Sequence, residues 1–237
     1  MAYGVAYTYS KSMDDGSAQR NILPNAYDAH NLWGPSDFDR RHVFVGNVIY
    51  ELPFFRERNL VGSLLGGWQI GMLVQLQSGV PLTVGTADDV AGVGPGNGTG
   101  VGTSGSNDVS NNSLPPTIYN IVGDPHLSGA TFSNSTTDQN FYFNTKAFEK
   151  PAAGTFTTQS SRNILYNPGF QNWTASLFKN FRIGERQLVT FRSEFYNFPN
   201  HPNWSNVDSV NPTAATFGKV VNKNFERTIQ LSLRYQF

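Results

Sequence analysis

The final stretch of the chain, Phe225-Glu-Arg-Thr-Ile-Gln-Leu-Ser-Leu-Arg-Tyr-Gln-Phe237, alternates apolar and polar positions almost without interruption. Phe225, Ile229, Leu231, Leu233, Tyr235 and Phe237 carry the apolar set, and only Arg227 breaks the pattern. Side chains on a strand point to opposite faces in turn, so this predicts a strand with one oily and one wet face. Its length suits a tilted strand crossing a bilayer, which takes roughly 9–11 residues. Aromatics at a terminus also argue against a frayed end.

Five more segments show the same period. Ala2 to Ser10 sets Tyr3, Val5, Tyr7 and Tyr9 against Ala2, Gly4, Ala6 and Thr8. His42 to Leu52 is apolar on both faces in places. Phe44, Val48, Tyr50 and Leu52 are assigned outward, because the other face holds Asn47 and Glu51. Trp68 to Ser78 sets Trp68, Ile70, Met72, Val74 and Leu76 against Gln69, Gly71, Gln75 and Gln77, with Leu73 the exception. Asn172 to Ile183 has Trp173, Ala175, Leu177 and Phe181 on one face, interrupted by Lys179. Gln187 to Phe198 sets Val189, Phe191 and Phe195 against Thr190, Arg192 and Glu194.

The connections alternate in length. Residues 11–41, 79–171 and 199–224 are long, whereas 53–67 is shorter and Gly184-Glu185-Arg186 is a tight turn. An antiparallel transmembrane barrel with short periplasmic turns and long outer loops has this rhythm. With the C-terminus periplasmic, every long loop falls outside, including the very long extracellular loop 79–171. The fold class is therefore all-β: an antiparallel transmembrane β-barrel segment of about six strands. Six strands do not close such a barrel, since bacterial examples start at about 8. The expectation is an incomplete barrel whose edges need partners, because unpaired backbone groups in lipid cost several kcal/mol each.

Composition agrees with a lipid-facing surface. Charged residues make up 14% of the chain and aromatics 14%; soluble domains carry about 25% charged residues. Net charge is zero, so nothing favours nucleic acid as a partner. Cysteine is absent, which excludes disulfides and thiolate metal sites. No apolar run is long enough for a transmembrane helix. Residues after Met1 already alternate rather than forming a signal peptide, which suggests the downstream part of a longer chain. Residues Gly85–Ser113, rich in Gly, Ser, Asn and Thr, are expected to be mobile. They lack the Gly-Lys-Ser/Thr of a phosphate-binding loop. The aromatic run around Asn140–Phe148 and Gly154–Phe156 is expected to pack the long loop over the barrel mouth, ahead of a ligand contact.

Chemistry candidates are sparse. His30, His42, His126 and His201 have no metal-ligand spacing. The pairs Asp14-Asp15, Asp37/Asp39 and Asp88-Asp89 could serve calcium or glycoside hydrolysis. Solvated loop charge, or contact of Asp37 and Asp39 with Arg40 and Arg41, is the favoured reading. No Gly-x-Ser-x-Gly elbow occurs. We expect no enzyme activity, no catalytic or metal residues and no cofactor. Arg192 and Glu194, and Arg234, Glu226 and Gln230, are assigned inward as structural polar groups.

Several motifs carry a family likeness. Ser36-Asp-Phe-Asp-Arg-Arg-His-Val-Phe44, Tyr50-Glu-Leu-Pro-Phe54, Leu65-Gly-Gly-Trp-Gln69 and Gln77-Ser-Gly-Val-Pro81 come first. Asn144-Thr-Lys-Ala-Phe148, Pro168-Gly-Phe-Gln-Asn-Trp173, Ser176-Leu-Phe-Lys-Asn-Phe181, Phe191-Arg-Ser-Glu-Phe-Tyr-Asn197 and Asn200-His-Pro202 follow. In this order and spacing the chain, 1–237, resembles the C-terminal β-barrel portion of TonB-dependent outer-membrane receptors. The nearest branch is the Oar-like group with a carboxypeptidase-regulatory-like domain.

The resemblance implies a plugged barrel of about 22 strands in the bacterial outer membrane, importing a ligand through TonB. This chain would supply the last six strands or so, with plug and TonB box upstream. Implied partners are outer-membrane lipid, the barrel assembly machinery, the TonB system through that missing plug, and a small ligand whose identity and contact residues stay open. Ile229, Leu231, Leu233, Tyr235 and Phe237 resemble the signal read by the assembly machinery. Where the family often reads Asn-Leu-Phe-Asn-His, this chain has Asn197-Phe-Pro-Asn-His201, and Pro199 removes a ladder donor near the end of the fifth strand. Two other readings stay open: an outer-membrane binding or adhesion barrel that does not transport, and a soluble secreted sugar-binding β-sandwich.

Overall fold

The computed structural model describes residues 1–17, 25, 27–54, 60–86, 88–92, 117–127, 141–183 and 186–237. Six long strands form one antiparallel sheet: Ala2–Tyr9, His42–Glu51, Trp68–Gln77, Phe170–Ile183, Gln187–Tyr196 and Thr228–Gln236. They lie side by side in chain order, so each pairs with the next along the sequence. We refer to them as the first to the sixth strand.

Directly paired residues share a face of the sheet, and a one-residue slip would swap every face. No slip occurs. One row crosses all six strands as Tyr3, Val48, Met72, Ala175, Phe195 and Ile229. Four residues along, Tyr7 meets Phe44 and Phe44 meets Leu76 in the same way. The opposite face carries rows such as Ile49, Gly71, Ser176, Glu194 and Gln230. The oily faces expected strand by strand thus merge into one apolar surface, including the ambiguous second strand. This surface is not a closed core: Leu231 is 67% and Leu233 73% exposed.

Aromatic rings mark both ends of that surface. Trp68 meets Phe181 and Phe191 edge-on at 6.3 and 5.9 Å. At the other end Tyr7 and Tyr9 flank His42 at 6.2 and 5.3 Å. From Trp68 to Leu76 the third strand runs about 27 Å along its own axis at ~3.4 Å per residue, which is about 19–22 Å across the membrane at the usual barrel tilt. The apolar band of a transmembrane barrel is about 25 Å tall.

Lys179, the interruption on the fourth strand, is only 2% exposed. Its ammonium donates to the Leu64 and Gly66 carbonyls at 2.8 and 2.5 Å and lies over the Trp68 and Phe181 rings. Those carbonyls close the short helix Leu60–Leu65, whose last carbonyls lack partners within the helix. The charge is therefore spent inside the link between the second and third strands.

Several boundaries differ from the sequence-based expectation. The sixth strand starts at Thr228, so Arg227 never faces the apolar side, and Glu226 lies outside the strand. Phe225 adopts φ 64° and packs edge-on against Phe170 instead. The fifth strand stops at Tyr196, before Phe198 and Pro199, because Asn197 turns to φ 50°. The Asn197 side chain then holds the turn, donating to the His201 and Phe225 carbonyls and accepting from the His201 amide. Leu52 lies just past the second strand, its amide still donating to the Trp68 carbonyl.

All three long loops leave the same end of the sheet, and they fold together there. The buried apolar cluster of the described residues is built by the second and third of these loops: Leu82, Val84, Tyr119, Phe143, Phe148 and Leu165 with Val207 from the loop before the sixth strand. That last loop contains its own hairpin, Asn203–Val207 with Val220–Asn224. The loop cap joins the sheet where Gly79 passes the Asn167 backbone. A Cβ at Gly79 would stand 1.7 Å from the Asn167 carbonyl oxygen. Gly79→Ala must push two backbones apart, and overpacking of this kind costs about 1–3 kcal/mol. Chemical denaturation of the variant should show a loss in that range; an unchanged midpoint would contradict the close approach.

Candidate functional site

The loop cap is where the polar chemistry collects, and Arg162 is its centre. The side chain is fully buried. Nη1 donates to the Asp14 carboxylate at 2.7 Å, the Asp14 carbonyl at 2.8 Å and the Leu32 carbonyl at 3.3 Å. Nη2 donates to Ser17 at 2.7 Å and to Asp37 at 3.3 Å. One guanidinium therefore ties the loop between the third and fourth strands to the loop between the first and second. Its planar fork can satisfy several oxygens at once, which an ammonium cannot. Asn163, at φ 55°, continues the tie by donating to the Pro35 carbonyl and the Asp37 carboxylate. Its side-chain oxygen accepts from Thr83 at 2.7 Å.

A second cluster sits beside it. Arg41 Nε donates to Asp39 at 2.8 Å, Tyr166 donates to the same carboxylate oxygen at 3.0 Å, and the Arg41 guanidinium lies 5.6 Å from the Tyr166 ring centroid. Burial alone would raise the Asp39 carboxyl, but hydrogen bonds from Arg41, the Ser12 amide and Tyr166 outweigh it and hold the group below its ordinary value. Asp14 behaves alike: burial raises it, while Arg162, Ser36 and Ser17 lower it further. Burial pushes the Tyr142 phenol up to about 12, and that hydroxyl donates to the Tyr166 carbonyl.

The expected contact of Asp39 with Arg41 is present. Arg40 instead reaches the Ser78 carbonyl at 3.5 Å, and Asp37 goes to Arg162 and Asn163. Asp88 pairs with Lys150 at 2.7 Å. His30 and His126 each rest on the aspartate two residues before them, and His42 binds the Tyr7 hydroxyl. Among the described residues no three His, Cys, Asp or Glu side chains gather as a metal site. Arg192 pairs with Glu194 at 2.6 Å on the polar face. Phe143 and Phe148 lie inside the cap core, as the packing reading requires.

Gly85 and Thr86 correct the expected mobile stretch. They are buried and pair with Ile118 and Thr117. The rest of that stretch, from residue 93 on, lies outside the described residues. Between the first and second long loops the surface dips into a small pocket whose lining mixes Asp28, Asn31 and Thr117 with the apolar Leu32, Ile118 and Phe156.

The terminal residues Ile229, Leu231, Leu233 and Tyr235 line the apolar face of the sixth strand, and Phe237 follows it, 96% exposed. The chain matches the family model described as "Outer membrane beta barrel domain" over residues 1–230. It belongs to this family. No curated protein and no solved structure matches it. The barrel domain places the chain in the bacterial outer membrane, and the apolar face of its sheet is the face that meets lipid. The sheet itself is open: the first and sixth strands each pair with one neighbour only.

Arg162 was not singled out from the sequence. The available signal was slight: it is the only Lys or Arg between Lys150 and Lys179. Breaking a buried ion pair by removing one partner costs about 3–5 kcal/mol. Arg162→Met should cost that order and make the cap sensitive to protease while the strands stay protected. Because Asp14 and Asp39 are lowered in the folded state, their contribution is complete above the ordinary value of 3.8 and fades as pH falls below it. Cap protection measured by amide exchange should therefore hold from neutral pH to about 5 and drop only below about 4. A loss already at pH 6 would contradict the assignment.

Proposed function

We propose that this chain is the C-terminal part of a TonB-dependent receptor that imports a ligand across the outer membrane. The observation that carries the reading is the gathering of all three long loops at one end: Arg162 ties the first to the second, and an apolar cluster joins the second to the third. A passive barrel does not need loops with a shared core and a shared buried cation. A receptor does, since its ligand must be held by groups fixed in place before transport begins. The order of motifs from Ser36 to Pro202 supports the same family branch.

In this reading the short connections and the C-terminus face the periplasm and the cap faces outside. The open edges of the sheet pair with further barrel strands, because unpaired backbone in lipid costs several kcal/mol per group. A plug inside the closed barrel meets the polar face, where Arg192, Glu194, Gln230 and Arg234 stand. TonB acts through that plug. The reading gives the chain no catalytic role.

Disrupting the gene for this chain and disrupting tonB in the same organism should abolish growth on the same nutrient, drawn from a panel of siderophores, oligosaccharides and peptides. Growth that depends on this gene but not on tonB would refute import and favour the non-transporting binding barrel, which the same cap also suits. The assembly machinery reads Ile229, Leu231, Leu233, Tyr235 and Phe237 in this account. Deleting Phe237 should lower the outer-membrane level several-fold while leaving synthesis unchanged, as measured by fractionation and immunoblotting. Wild-type levels would remove Phe237 from the signal.

A further inference from the structure

We propose that Lys11, Arg40 and His42 form a site for the phosphate groups of an outer-leaflet glycolipid, at the rim where the apolar face meets the loop cap. This rests on the outward orientation of the loops given above. The placement follows from register. Tyr9 pairs with His42, and the ladder runs one step further, with the Ser10 amide donating to the Arg41 carbonyl at 3.2 Å. The next cross-strand positions are Lys11 and Arg40. Both keep the parity of Tyr9 and His42, so both belong to the lipid side.

The neighbours of opposite parity confirm the division. Asp39 and Arg41 turn to the other side, where Tyr166 of the cap covers them. The Arg40 guanidinium reaches the Ser78 carbonyl, and Ser78 also exchanges hydrogen bonds with His42. The cations therefore sit directly above the ring belt of Tyr7 and Tyr9, which are 60% and 62% exposed.

Among the described residues neither Lys11 nor Arg40 forms an ion pair, in contrast to Arg41 with Asp39, Lys150 with Asp88, and Arg162 with Asp14 and Asp37; Lys146, Lys219 and Lys223 of the cap form none either, but they lie away from the apolar face. The carboxylates closest in sequence to Arg40, Asp37 and Asp39, are engaged elsewhere, and Asp14, three residues from Lys11, is held by Arg162. Two cations with no carboxylate partner, beside an exposed histidine and level with the end of an apolar band, fit an anionic headgroup whose acyl chains run down the face below. A bidentate guanidinium and a long ammonium arm suit phosphate oxygens. A free anion would gain nothing from the apolar surface beneath, so the lipid is the occupant.

The test uses the full chain in mixed micelles. Bound lipid is measured by native mass spectrometry for a bis-phosphorylated outer-leaflet glycolipid, its dephosphorylated form and phosphatidylglycerol, with inorganic phosphate as competitor. The native chain should prefer the phosphorylated glycolipid about fivefold or more over the dephosphorylated one. Equal molar inorganic phosphate should not displace it. The double variant Lys11→Gln/Arg40→Gln should lose the preference, and the control Lys146→Gln/Lys223→Gln on the cap should keep it.

Equal binding of both glycolipid forms by the native chain, which requires no variant to fold, overturns the site. So does an unchanged preference in Lys11→Gln/Arg40→Gln. A preference for phosphatidylglycerol overturns the glycolipid and points to the opposite orientation. None of these outcomes depends on tonB, so they are separate from a failure of the import reading.

Discussion

Unbroken cross-strand register holds this molecule together. Each strand of the sheet has one neighbour on either side, or one only at the edges, and almost none of its side chains is buried. Hydrogen bonds between strands satisfy the backbone, and the period of two then decides which side chains share a face. A slip of one residue by the fifth strand would put Glu194 opposite Ala175 and Ile229, on the apolar face. An arginine at the lipid midplane costs about 2–4 kcal/mol. The row from Tyr3 to Ile229 shows that all five pairings avoid that cost together.

The division of labour between sheet and cap follows from the same constraint. A sheet that meets lipid cannot bury its apolar side in protein, so the chain's protein-like core has to be made elsewhere. It is made by the loops, around Phe143 and Val84, and their polar joints are made by Arg162, Asn163 and Tyr166. The narrow passage at Gly79, against Asn167, is the physical link between the two parts. Two of the motifs, Gln77–Pro81 and Pro168–Trp173, flank this passage, and their glycines answer a backbone approach that leaves no room for a side chain.

Much of the sheet was legible in the sequence because its faces obey a local rule. Alternation needs only nearest neighbours along the chain, so Tyr3–Tyr9, Trp68–Leu76 and Ile229–Tyr235 could be assigned before any pairing was known. The errors lie at the ends. Phe225 fits the period of two but leaves the ladder through a positive φ. The fifth strand, expected to run to Phe198, stops at Tyr196 because Asn197 turns to a positive φ. The Asn197 side chain fixes both ends, donating locally to the His201 carbonyl and across 28 positions to the Phe225 carbonyl. Lys179 looked like a fault in the lipid face. Only the carbonyls at the end of the Leu60–Leu65 helix show why it is tolerated.

The sequence by itself determined the class of sheet, its two faces, and the rhythm of long and short connections. These depend on side-chain period and on which residues lipid accepts, and both are written locally. The tertiary structure decided that three loops make one body, that Arg162 rather than the paired aspartates is its centre, and that Asp37 and Asp39 serve different arginines. Those outcomes depend on contacts between residues more than a hundred positions apart. A guanidinium and a carboxylate give no periodic signal along the chain; their partnership exists only once folding has excluded water and brought them within hydrogen-bond reach.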